Sequence, residues 1–141
     1  MDGGMIHRRE EVRMWIYTAD GFYSVVRKGR ALMVRSRVEG DLEKLFPEAL
    51  HDRIKRTPEA DYLFRIAVDR RTFEAAMVKA MRGIDYPNFK DAVHEKDEGR
   101  CSFYTRVWAV MFEMQNSLRW KALKGKANAA ETFAKGFQAR T

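Results

Sequence analysis

Between Met14 and Val26 the chain reads Met-Trp-Ile-Tyr-Thr-Ala-Asp-Gly-Phe-Tyr-Ser-Val-Val, two aromatic and β-branched runs on either side of Asp20-Gly21. Asp-Gly between such runs is a strong signal for a reversal that returns the chain antiparallel to itself. A hairpin this early commits the chain to a sheet. Side chains alternate along a strand, so Ile16 points opposite to Trp15 and Tyr17. A second strand runs Phe22 to Arg27, and Lys28-Gly29-Arg30 is a short polar connection. Ala31 to Arg37 reads as a third strand, with Leu32 and Val34 on one face and Met33, Arg35 and Arg37 on the other. Gly40 ends it, and Asp41 reads as the N-cap of a short helix carrying Leu42, Leu45 and Phe46. Pro47 either interrupts that helix or begins a second turn through Leu50 and Ile54. After a loop at Thr57-Pro58, Tyr62 to Val68 forms a fourth strand that turns Phe64, Ile66 and Val68 to the core and Leu63, Arg65 and Ala67 away.

Beyond Val68 the apolar period changes from two to 3.6. Phe73, Ala76, Met77, Ala80 and Met81 make one helical face over Thr72–Arg82, with Gly83 as its stop. Asn88 caps a short helix through about His94, Gly99 breaks it, and Ser102 caps a last helix. That helix carries a broad stripe of Tyr104, Val107, Trp108, Met111 and Phe112. The order β-β-β-α-β-α-α-α predicts an α+β two-layer sandwich, about four mainly antiparallel strands with helices on one face. The expected core is Ile16, Leu32, Val34, Phe64, Ile66, Val68, Phe73, Met77, Val107, Trp108 and Met111.

A chain of 141 residues with 45% apolar content can bury one core without staples. Its single cysteine, Cys101, excludes an intramolecular disulfide and fits a reducing compartment. No apolar run approaches the roughly 18 residues of a membrane span. The first residues lack an apolar signal core, so a cytoplasmic location is expected and no membrane partner. Residues 119–141 hold six Lys/Arg against one acid, Glu131, and residues 1–118 hold 21 bases against 19 acids, so the net charge of +7 sits mostly in the C-terminal stretch. The expected organisation is a flexible leader over 1–13, one domain over 14–118 and a basic tail over 119–141.

The opening run resembles a family of small uncharacterised bacterial proteins that begin Met-Trp-x-x-Thr-x-x-Gly-Phe-Tyr-Ser-Val-Val. Asp61-Tyr62 before a strand, Asn88-Phe89-Lys90, and Val107-Trp108-Ala109-Val110-Met111 are similar to its later landmarks, so the resemblance covers about residues 14–115. It brings no established activity, and it does not extend to the leader or the tail.

The residues point away from familiar chemistry. There is no phosphate-binding glycine loop and no Gly-x-Ser-x-Gly elbow. His7, His51 and His94 lack ligand spacing, and Cys101 cannot complete a zinc set with them. No catalytic, cofactor-binding or metal-binding residues are therefore assigned. What stands out is a sheet face: Trp15, Tyr17, Arg35, Arg37 and Arg65 point away from the expected core, with Tyr23 and Arg27 joining them if the register of the second strand allows. Aromatic rings among arginines suit single-stranded nucleic acid, by base stacking and phosphate pairing. They also suit a wet sheet face or a subunit contact. Asn88 and Lys90 at a helix start could hold an anion, although a capped helix explains them as well. The leading expectation is a non-enzymatic interaction module acting through a protein partner, with single-stranded nucleic-acid binding as the alternative and an enzyme whose site is not visible in sequence as the third reading. Exposed aromatics, eight methionines and open strand edges also admit a homodimer.

Overall fold

A computed structural model describes the backbone of residues 13–138 and the side chains of residues 13–127. The expected leader, all but Arg13, lies outside the described residues, as do the side chains of Phe133 and Phe137. Contacts divide the chain into two compact units, one ending at Ala92 and one beginning at Val93.

The first unit contains β1 (Met14–Tyr17), β2 (Phe22–Lys28), β3 (Ala31–Ser36), α1 (Asp41–Leu45), a 3-10 turn over Glu48–Arg53, β4 (Lys55–Arg56), β5 (Phe64–Val68) and α2 (Arg70–Arg82). The strands form one antiparallel sheet in the order β1-β2-β3-β5-β4. The fold is the expected α+β sandwich with five strands rather than four. The extra strand, β4, is a two-residue edge, too short for any period to register.

Two reversals set the register. Tyr17 pairs with Phe22, so the first hairpin closes over the four residues Thr18–Gly21. The Thr18 hydroxyl accepts the N–H groups of Asp20 and Gly21 at 3.2 and 3.0 Å and holds the loop. Gly21 is not needed for a positive φ. A Cβ there would lie 2.7 Å from the Tyr23 ring and 3.0 Å from the Asp41 carboxyl carbon, so the position is glycine for close approach. The second hairpin closes over two residues, with Lys28 opposite Ala31 and Gly29 at φ 60°. A left-handed glycine at the first central position is what a type II′ hairpin requires.

Register fixes the faces. Tyr23, Val25, Leu32, Val34, Ile66 and Val68 point to one side, where Leu42, Leu45 and Phe46 of α1 and Phe73 and Ala76 of α2 cover them. Each buried Val, Leu, Ile or Phe among them contributes about 1.5–3 kcal/mol. Asp41 is not the cap of α1. Gly40 holds that place at φ 92°, and Asp41 is the first helical residue, buried. Its Oδ2 accepts the Phe22 N–H at 3.2 Å, and its carbonyl accepts the Tyr23 hydroxyl at 2.7 Å. The carboxylate is thus tied to the hairpin instead of its own helix. α2 starts two residues before Thr72 because the Asp69 carboxylate accepts the Thr72 N–H at 2.7 Å and caps it.

α3 (Phe89–Lys96) crosses the boundary between the units, and α4 runs Glu98–Gln138. Asn88 Oδ1 accepts the Asp91 N–H, the expected cap of α3. α4 begins four residues before Ser102, because the Asp97 carboxylate accepts the Arg100 N–H and caps it, and Gly99 sits inside its first turn. The helix continues through Gly125, so the expected tail from residue 119 is helical backbone to Gln138. Trp108 and Met111, expected in the core, are 53% and 50% exposed. Periodicity shows which side chains share a helix face and leaves open whether that face meets a neighbour.

Candidate functional site

The sheet face opposite the core carries an unbroken transverse row. Register aligns Trp15 of β1, Ser24 of β2, Arg35 of β3, Arg65 of β5 and Lys55 of β4 side by side across all five strands. Three neighbouring members of that row are cations. Like charges directly opposite on adjacent strands destabilise a sheet by roughly 0.2–1 kcal/mol per pair. Among the described residues no carboxylate lies within salt-bridge distance of Arg35, Arg37, Arg65 or Lys55.

The arginines are instead held by neutral groups. Arg35 donates to the Ser24 hydroxyl at 2.9 Å, Arg37 to the Asp61 carbonyl at 2.6 Å, and Arg65 to the Tyr62 carbonyl at 3.2 Å. The small Ser24 in mid-strand makes room for the Arg35 head. The guanidinium carbons of Arg35 and Arg37 lie 4.5 and 4.1 Å from the centroid of the buried Tyr62 ring, both in cation–π range. The Nε atoms of Arg35 and Arg65 are buried with no acceptor. A buried donor without a partner costs about 1–3 kcal/mol, so the fold retains two deficits on this face.

Aromatic rings continue the surface. Tyr17 stacks on Phe22 at 4.6 Å, Trp15 meets Phe22 edge-on at 6.1 Å, and Phe22 approaches Tyr62 at 6.4 Å. Trp15 is 65% exposed. The Tyr17 hydroxyl is pushed above its ordinary pKa, first by burial and then by neighbouring Tyr62, while Arg37 pulls the other way. Tyr17 therefore remains a neutral hydrogen-bond donor at neutral pH. Between these groups lies a cleft of about 250 Å³ lined by Arg13, Trp15, Arg35, Arg37, Asp61 and Tyr62.

Of the face expected from sequence, Trp15, Tyr17, Arg35, Arg37 and Arg65 come together here. Tyr23 and Arg27 do not. Tyr23 is in the core with its hydroxyl on Asp41, and Arg27 pairs with Leu32 at the exposed end of β2, on the covered side's parity. Phe22 takes the place offered to Tyr23. The four-residue loop sets this parity, since Tyr17 opposite Phe22 puts both rings on one face. Tyr62, expected to open the fourth strand, instead precedes β5 and reaches the arginines from outside the ladder. At Asn88 and Lys90, the Asn88 side chain is spent on capping and Asp91 places a carboxylate in the same first turn. Among the described residues no group of three or more His, Cys, Asp or Glu could hold a metal, and no helix is long and apolar enough to cross a membrane.

No protein-family model, no curated protein and no solved structure matches the chain.

Proposed function

We propose that this chain is a non-enzymatic binding module that takes single-stranded nucleic acid on the open face of its sheet. The observation that supports this reading is the transverse row Arg35, Arg65 and Lys55, with Arg37 beside it, unpaired with any described carboxylate. A polyanion across the row replaces like-charge repulsion with charge-assisted hydrogen bonds. Trp15 offers an open ring for a base, whereas Tyr62 is already occupied by two guanidinium groups. A cleft of about 250 Å³ is smaller than the roughly 300–1,000 Å³ that encloses a drug-sized ligand. That favours a strand lying across the face over an engulfed small molecule.

The test is fluorescence anisotropy of a short labelled oligothymidylate with the full chain. Trp15→Ala is expected to cost about 1–3 kcal/mol of binding. Arg35→Ala and Arg65→Ala are each expected to flatten the salt dependence by about 0.7 in log–log slope. Lys124→Ser with Lys126→Ser controls for non-specific attraction to the basic helix end. If binding ignores all three sheet substitutions and falls only with the lysines, the sheet face is not the site. A protein contact is the second reading, favoured by the exposed apolar side chains of α4.

A further inference from the structure

The cleft on the open face holds one group that a polyanion does not call for. Arg13, Arg35, Arg37, Trp15 and Tyr62 line it with cations and rings, and the remaining lining residue is Asp61. A carboxylate on a phosphate-binding surface weakens that binding by like-charge repulsion. Asp61 is exposed, and among the described residues it forms no ion pair that would neutralise it. Yet it is held in place at two points. Arg37 donates to its carbonyl at 2.6 Å, and its Oδ1 accepts the Tyr62 N–H at 3.0 Å. Oδ2 has no hydrogen-bond partner among the described residues, and Oδ1 keeps a second lone pair. The cleft therefore combines an exposed ring, a positive wall and an oriented acceptor with capacity to spare.

Building on the sheet-face reading, we infer that this cleft takes a guanine base, with Asp61 as the residue that selects it. An ionised carboxylate only accepts hydrogen bonds. Guanine is the one standard base with two adjacent donors on its Watson–Crick edge, N1–H and N2–H, side by side as the two carboxylate oxygens are. Adenine and cytosine set a single amine beside a ring-nitrogen acceptor, and thymine and uracil set a single N–H between two carbonyls. Each of those edges turns a lone pair toward the carboxylate, and unstacked bases are read through that edge. Trp15, 65% exposed, supplies the stacking surface. The transverse row begins at Trp15 and passes through Arg35 and Arg65 to Lys55, so a base in the cleft leaves the phosphates that follow it to the cations. The same base chemistry could arrive in a strand or as a free guanine nucleotide.

The test is competition anisotropy with the full chain and oligothymidylates that differ at one central base. Guanine there is expected to bind about tenfold tighter than thymine, adenine or cytosine. Hypoxanthine, which keeps N1–H and lacks the N2 amine, is expected to lose most of that advantage, whereas 7-deazaguanine, altered only on the opposite edge, is expected to keep it. These arms need no protein variant. Asp61→Asn is expected to bring the ratio of guanine-strand to thymine-strand affinity close to one, a ratio that a merely structural loss leaves unchanged. Guanosine monophosphate is the last arm. Displacement only by the guanine strand supports a base held within a chain, and equal displacement by the nucleotide supports guanine in the cleft while removing the strand across the sheet. Equal affinity for all four bases, hypoxanthine as good as guanine, or a guanine preference that survives Asp61→Asn each overturns the inference. If thymine strands still bind through Trp15 in those cases, the sheet-face reading stands without it. No binding of any strand or nucleotide removes both.

Discussion

The two faces of the sheet share every backbone hydrogen bond and differ in everything else. On the covered face Ile66, Val34 and Val68 are almost wholly out of water, and the Tyr23 hydroxyl finds a carbonyl. On the open face Arg35 stands opposite Arg65, two Nε groups lack acceptors, and Trp15 is mostly in solvent. One face is arranged to hold the chain together. The other retains repulsion and unmet hydrogen-bonding capacity that a folding requirement alone would remove. Strand alternation makes such a division available: each residue added to the core also sends its neighbour to the opposite face, at no cost in register.

The largest expected effect tests the division directly. Ile66→Ala should lower unfolding free energy by about 2–5 kcal/mol, the cost of a buried cavity, whereas Trp15→Ala should stay within about 0.5 kcal/mol, as for surface positions. Urea denaturation of both measures the contrast, and equal losses would erase it. A smaller effect runs in the opposite direction. Arg65→Met removes one member of the like-charge row and one orphaned donor while keeping the stem, so stability should rise by up to about 1 kcal/mol as oligonucleotide affinity falls. A loss of stability would mean that the arginine supports the fold. The smallest effect concerns the layer over the covered face. The Asp69 carboxyl is held below its ordinary pKa, chiefly by the Thr72 backbone N–H. A depressed folded-state pKa contributes stability that is present above the unfolded value near 3.8 and is lost as pH falls through the folded value. Asp69→Ala should therefore lower the melting temperature at neutral pH and change it little in stronger acid, as read by melts across pH 2–7.

Much of the covered face was legible in the sequence. Leu32, Val34, Phe64, Ile66 and Val68 are bulky apolar residues at every second position, with Arg35 and Arg65 marking the other face, and alternation needs no knowledge of partners. The second strand was harder because Phe22, Ser24 and Val26 compete with Tyr23 and Val25, both sets apolar enough to be core. Only the Tyr17–Phe22 pairing decides between them, and it depends on Thr18 folding the loop. The site was half legible for the same reason. Arginines could be assigned to a face, but their transverse alignment is a property of register between distant strands, and Tyr62 comes from a loop. On α4 the sequence supplied the stripe and could not say what meets it, which is why Trp108 and Met111 were expected in a core and stand in solvent.

The brevity of β4 has a consequence for how the chain behaves when crowded. A sheet grows by adding strands at its edges, and each edge is a template for another molecule's backbone. At one margin the template is two residues long and both, Lys55 and Arg56, are charged, which disfavours a recruit. The opposite margin is Met14-Trp-Ile-Tyr17, apolar throughout and without proline or charge. Among the described residues the β4 flank is therefore guarded against self-templated polymerisation by its length and charge, and the β1 flank carries no such guard in its own sequence.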